Sequence, residues 1–144
     1  MKYFKCCVLI LFCLNPLYAS LRIENLSDYN FGLVRPTQFP SKESTLRISL
    51  VNYTVTIVGQ HDKGQAFNLA NGMYLVPYSI IWKDIIGSAM QLFPNTVSPI
   101  FRGAVDNNAS AKAIQAAILS MQIQGNAPRP GHYSDTLTLI ITPA

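Results

Sequence analysis

The chain has 144 residues, of which 49% are hydrophobic and only 12% charged. That length suits one domain, and the apolar content excludes a disordered chain. The formal net charge is +4, with Lys2 and Lys5 supplying two of those charges, which is too little for a nucleic-acid-binding surface.

Residues 1–19 come first and are expected to stand outside the fold. Lys2 and Lys5 form a positive start, an apolar run covers residues 6–14, Asn15 and Pro16 break it, and Ala19 places a small residue at the end. This is the layout of a secretory signal peptide. The apolar run is too short to span the roughly 30 Å hydrocarbon core of a bilayer. Residues 20–144 then form a single exported domain with no membrane span. All three cysteines, Cys6, Cys7 and Cys13, fall in the segment to be removed. The exported chain therefore has no disulfide, no thiolate metal site and no cysteine nucleophile, and its fold rests on its core.

The remainder reads as a series of strands. Residues 36–44 form a polar loop. Over residues 45–59, Leu46, Ile48 and Leu50 alternate with polar residues, and Val55 and Ile57 alternate with Thr54 and Thr56. This period of two predicts strands with one buried face, with a bend or bulge at Asn52-Tyr53. Residues 61–64 are a turn, residues 65–69 a short strand and Ala70-Asn71-Gly72 a turn. Residues 75–82 form the next strand, in which Pro77 is expected to face an edge or open the strand, because it has no N–H to donate. Residues 89–93 and 97–102 are short strands separated by Pro94-Asn95. Residues 109–115 favour a turn or short helix, and residues 117–124 a strand. Residues 133–142 are the clearest strand, with Leu137, Leu139 and Ile141 on one face and threonines on the other.

Several short strands separated by Gly, Pro and Asn turns predict an all-β antiparallel sandwich of immunoglobulin type with no long helix. Its expected core contains Phe31, Leu46, Ile48, Leu50, Val55, Ile57, Tyr78, Ile80, Leu119, Met121, Leu137, Leu139 and Ile141.

The inventory of chemistry is thin. His61 and His132 lack any metal-ligand spacing. His132, Ser134 and Asp135 have the residue types of a catalytic triad, but neighbouring strand residues point to opposite faces and do not converge. No nucleophile elbow, phosphate loop or dinucleotide fingerprint occurs. The expectation is a protein without catalysis, metal or cofactor. The lone Trp82, with Tyr78 nearby, is a candidate ligand surface, set against a place in the core, which the strand pattern favours.

Asn30-Phe31-Gly32, Asn71-Gly72 ahead of Val76-Pro77-Tyr78-Ser79-Ile80, residues 118–125, and Pro130-Gly131-His132-Tyr133-Ser134-Asp135-Thr136-Leu137-Thr138-Leu139 together resemble the spore coat protein U domain. That domain forms the pilin subunits of archaic chaperone–usher pili. The likeness runs over residues 26–142 and is most specific over residues 131–139. The chain departs from the family in having no Cys pair after residue 19 and in ending on Pro143-Ala144 rather than an aromatic residue. In the turn, Pro130 presets its own φ and Gly131 is expected at positive φ. Tyr133 is expected to cover the end of the core, and Asp135 to accept turn N–H groups.

The resemblance implies an incomplete sandwich completed by a donated strand. Its partners would be a periplasmic chaperone, an outer-membrane usher and other pilus subunits, and its route would run through the periplasm to the cell surface. The accepting strand would be the last one, through Leu137, Leu139 and Ile141, and the donor segment would present Leu21 and Ile23. Two apolar donor residues are few, which favours a tip or minor subunit over a shaft subunit. The alternative is a self-contained secreted binding module or adhesin using Trp82 and residues 94–99. A small hydrolase would need His61 or His132 beside a carboxylate and a hydroxyl.

Overall fold

A computed structural model describes residues 23–24, 31–48, 50–103 and 117–144. The expected signal peptide, Leu21 and the turn or short helix at 109–115 lie outside the described residues. Among the described residues nine strands follow in order: β1 (Ile23–Glu24), β2 (Ser41–Ile48), β3 (Asn52–Gly59), β4 (Phe67–Asn71), β5 (Tyr74–Lys83), β6 (Ala89–Leu92), β7 (Phe101–Arg102), β8 (Ala117–Ile123) and β9 (Leu137–Pro143). There is no helix among the described residues.

The strands form two antiparallel sheets. The larger runs β1-β2-β8-β5-β4, with β6 also paired to β5, and the smaller runs β7-β3-β9. The protein is an all-β antiparallel sandwich. The chain changes sheets between β2 and β3, so the break falls just before Asn52 and separates two strands of different sheets. Residues 41–44, expected as loop, belong to β2. Their side chains are mostly exposed, which is why they read as loop, yet their backbone pairs with β8 in the register Ser41↔Gln122 to Ser44↔Leu119.

β4 and β5 form a hairpin closed by Gly72 and Met73, with Asn71 opposite Tyr74. Of the two loop residues only Gly72 has positive φ, +61°, as a type II′ hairpin turn requires. Pro77 neither opens β5 nor faces a free edge. It lies opposite Asn68 of β4, one residue before the β5–β8 ladder begins at Tyr78↔Ile123. A Cβ on Gly125 would come within 2.6 Å of the Pro77 ring, so a glycine makes room for the proline where β8 has run out.

The expected strand over residues 97–102 shrinks to β7. Pro99 interrupts it, and Ser98 turns both its N–H and its hydroxyl to β3, as described below.

Alternation along the strands fills the core. Eleven of the thirteen expected core residues are buried, and Phe31 and Leu50 pack against them partly buried. The larger side chains Tyr53, Phe67 and Trp82 join them, each no more than 1% exposed. Trp82 from the larger sheet meets Tyr53 from the smaller edge to face, with centroids 6.1 Å apart, and its indole N–H donates to the Tyr53 hydroxyl at 3.1 Å. Phe101 of β7 packs against both rings. Burial pushes the Tyr53 phenol up to about 12, against the opposing effect of the Trp82 hydrogen bond, with Asp84 adding to the rise.

Replacing Trp82 by alanine removes the centre of this inter-sheet contact and is expected to cost about 3–5 kcal/mol, measured by urea unfolding. Because Trp82 is the single tryptophan, its folded-state emission should be blue-shifted and resistant to acrylamide quenching.

Candidate functional site: the outer edge of the last strand

Each strand residue points its N–H and C=O to one side, and successive residues alternate. In the smaller sheet this alternation can be assigned from observed bonds. Asn95 N–H donates to Ile57 C=O at 2.8 Å and Ser98 N–H to Val55 C=O at 2.9 Å, while Val55 N–H donates to the Ser98 hydroxyl at 2.8 Å. Odd-numbered residues of β3 therefore turn away from β9, and even-numbered ones turn towards it. Gln60 N–H donating to Thr136 C=O and Ala144 N–H donating to Asn52 C=O agree with this parity.

The register Thr54↔Thr142, Thr56↔Ile140 and Val58↔Thr138 carries the assignment across to β9. Thr138, Ile140 and Thr142 bond to β3, and the main-chain groups of Leu137, Leu139 and Ile141 face the opposite edge. Among the described residues, no strand is in register with that edge. The far edge of β3, by contrast, is filled by residues 94–98 and by β7.

The edge of β2 differs chemically. It carries Lys42, Glu43 and Arg47, and β1 pairs with Arg47 and Ile48. Charges of this kind guard a sheet edge against foreign strands. β9 has no charged residue from Leu137 to Pro143.

The side chains of Leu137, Leu139 and Ile141 point inward and are 4%, 2% and 7% exposed. They hold β9 on the core, so the outer edge presents main chain.

The lead-in to β9 crosses between the sheets. Gly131 and Val34 bond reciprocally, as do Ser134 and Ala70 of β4. Gly131 is not among the residues with positive φ, contrary to expectation. A Cβ there would run into the Asn71 side-chain amide, so the glycine provides room. Tyr133 is 8% exposed and its hydroxyl donates to Arg129 C=O at 2.8 Å, covering the core end as expected.

Asp135 is the polar centre of this crossing, and it is 2% exposed. One oxygen accepts from the Tyr78 hydroxyl of β5 at 2.7 Å. The other accepts from its neighbour Thr136 N–H at 2.9 Å and His61 N–H at 3.2 Å, and lies 3.0 Å from His61 Nδ1. A single carboxylate thus ties the larger sheet, the loop after β3 and the start of β9. Beside it, Asp62 accepts from Gly59 N–H at 2.7 Å. Its carboxyl is raised above the usual range, first by burial and then by the charge of Asp135, against the lowering effects of the Gly59 bond and His61.

The sequence reading missed the His61–Asp135 pair, because its partners lie 74 positions apart. Of the features expected for a hydrolase, His61 does meet a carboxylate, that of Asp135, and the Tyr78 hydroxyl donates to the same carboxylate. Among the described residues no group of three or more His, Cys, Asp or Glu could hold a metal, and no helix is long and apolar enough to cross a membrane. Trp82 is 0% exposed. Its ring therefore presents no surface to a ligand, and it lies in the core between the sheets. Ile23, expected in a donor segment, is paired with Ile48 of its own chain's β2.

No protein-family model matches the chain. No curated protein matches it either. Among solved structures, it is similar to a chain from a study of a chaperone–tip adhesin complex in the biogenesis of CFA/I fimbriae, with a TM-score of 0.64 and 12% identity over 86% of this chain. The protein spans less than half of that chain, 42%. The likeness is one of fold.

Removing the Tyr78 hydroxyl by Tyr78→Phe takes away a buried charge-assisted bond to Asp135 and is expected to cost about 1.5–3 kcal/mol in urea unfolding.

Proposed function

We propose that the protein is an exported pilin-type subunit that accepts a donated β-strand along the outer edge of β9. The observation carrying this reading is the uncharged row of outward main-chain groups at Leu139 and Ile141, beside a sheet whose other side is filled. Main-chain bonds along such an edge supply affinity in strand addition, and an edge without charge is otherwise prone to aggregate. Similarity of fold to a chain studied in a fimbrial chaperone–tip adhesin complex supports the same reading, as do the motifs resembling the spore coat protein U domain.

The partners under this proposal are a periplasmic chaperone, an outer-membrane usher and neighbouring subunits. Residues 1–19 direct export to the periplasm, from which the subunit reaches the cell surface. The role is structural and involves neither catalysis nor a cofactor. Leu21 and Ile23 are the proposed donor residues. Pairing of Ile23 with Ile48 in its own sheet supports a tip or minor position, where a subunit accepts a strand more often than it gives one.

Amide hydrogen exchange tests the proposal at single residues. In the chain alone, Thr138 and Ile140 should exchange slowly, because they bond to β3, and Leu139 and Ile141 should exchange fast. Co-expression with a periplasmic pilus chaperone, or addition of a donor-strand peptide, should slow exchange at Leu139 and Ile141 at least tenfold, about 1.4 kcal/mol. Equal protection of all four amides in the chain alone would overturn it. Leu139→Asp is a poorer probe, since it places a charge inside the core.

A further inference from the structure

We propose that the buried, unpartnered Oδ1 of Asp62, when it carries a proton, donates a hydrogen bond to Asp135 across Gly59, and that this bond tightens the clasp holding the lead-in of β9.

The geometry begins with Gly59. Its φ is not in the left-handed region, so the backbone does not demand a glycine there. Space does. A Cβ on Gly59 would fall 2.7 Å from one Asp135 oxygen and against one Asp62 oxygen. Both carboxyl groups thus lean over the same point of the β3 backbone, and any side chain there would push them away.

Their bonding is unequal. Asp135 has donors on both oxygens, as described above. Asp62 has a donor on Oδ2 only. Its Oδ1 is buried and lacks a hydrogen-bond partner among the described residues, and it is this oxygen that leans over Gly59. The Asp135 oxygen facing the same point, Oδ2, is an acceptor. With both groups ionised, two acceptors face each other and one stays unsatisfied, at a cost. A proton on Asp62 Oδ1 converts that acceptor into a donor, for which the Asp135 oxygen over the same point of the backbone is the acceptor.

The titratable groups facing the pair are Tyr78 from β5 and His61 from the loop after β3. Lys63 follows Asp62 and spends its backbone on Ala66. Asn68 of β4 contributes an amide, which donates to the carbonyls of His61 and Ala66. The described ion pair to Asp135 is with His61.

The sign follows from burial and from the charge of Asp135, both of which favour the protonated form of Asp62. A carboxyl that holds its proton more tightly folded than unfolded stabilises the fold fully below its unfolded value, here 3.8. That contribution is lost as pH rises through the higher folded value.

Asp62→Asn fixes the protonated arrangement: its carbonyl oxygen can accept from Gly59 N–H and its amide can donate to Asp135. The melting temperature of Asp62→Asn should exceed that of the unaltered protein by about 3 °C or more at pH 8. The gap should close towards pH 4. In the unaltered protein, the Asp62 carboxyl carbon should titrate by NMR with a midpoint above 3.8, and protection factors at Thr138 and Ile140 should rise on acidification through that midpoint. A midpoint at or below 3.8, or a gap that does not vary with pH, would overturn the proposal. Should Asp62→Asn fail to fold, the NMR titration of the unaltered protein decides. No partner strand enters these measurements, so their outcome is separate from that of strand acceptance.

Discussion

Each strand carries two rows of main-chain hydrogen-bonding groups, and a sandwich must do something with the rows at its edges. That constraint organises this molecule. In the smaller sheet β3 has both rows used: one on β9, the other on Asn95, Ser98 and β7. A loop carrying Pro94 and Pro99 does the work of a strand there, with the Ser98 hydroxyl accepting the N–H of Val55. Among the described residues, no strand is in register with the row of β9 that turns away from β3. The inward side chains of β9 are already consumed by the core, so the edge is defined by backbone and not by exposed apolar residues.

The two ends of the sandwich are tied by different chemistry. At one end the ring of Trp82 spans from β5 to Tyr53 of β3, with Phe101 alongside. At the other end, Asp135 joins Tyr78 of β5 to the loop after β3. Aromatic contact tolerates some sliding, whereas hydrogen bonds to one carboxylate fix position. The polar tie lies immediately ahead of β9, so that strand enters the smaller sheet from a point held by Tyr78 and His61 through Asp135. Glycines serve this arrangement by being small: Gly59 under the two carboxyls, Gly131 beside Asn71 and Gly125 beside Pro77.

Much of the architecture was legible in the sequence. Period-two alternation identified the inward residues of β2, β3, β5, β8 and β9, because burial on one face of a pleated strand leaves that mark directly. Asn71-Gly72 marked a turn because glycine adopts positive φ at little cost, as Gly72 does between β4 and β5. Where the marks failed, a backbone partner had replaced a side-chain signal. Residues 41–44 are exposed yet paired to β8, and Val97 to Ile100 have strand-like composition yet run as loop, since Ser98 and Pro99 commit their groups elsewhere.

By itself the sequence determined that the protein is all-β and which side chains face inward, since both follow from local alternation. It also singled out Leu137, Leu139 and Ile141, whose parity along β9 is a property of the chain. Only the tertiary structure decided that β2 and β3 belong to different sheets, that Trp82 is interior, and that His61 and Asp62 meet Asp135. Those outcomes depend on contacts between distant segments, for which no local pattern exists. The outward direction of the β9 main chain belongs to the same class, because parity assigns a residue to one row or the other, and only the bonds made by its neighbour β3 reveal which row is turned outward.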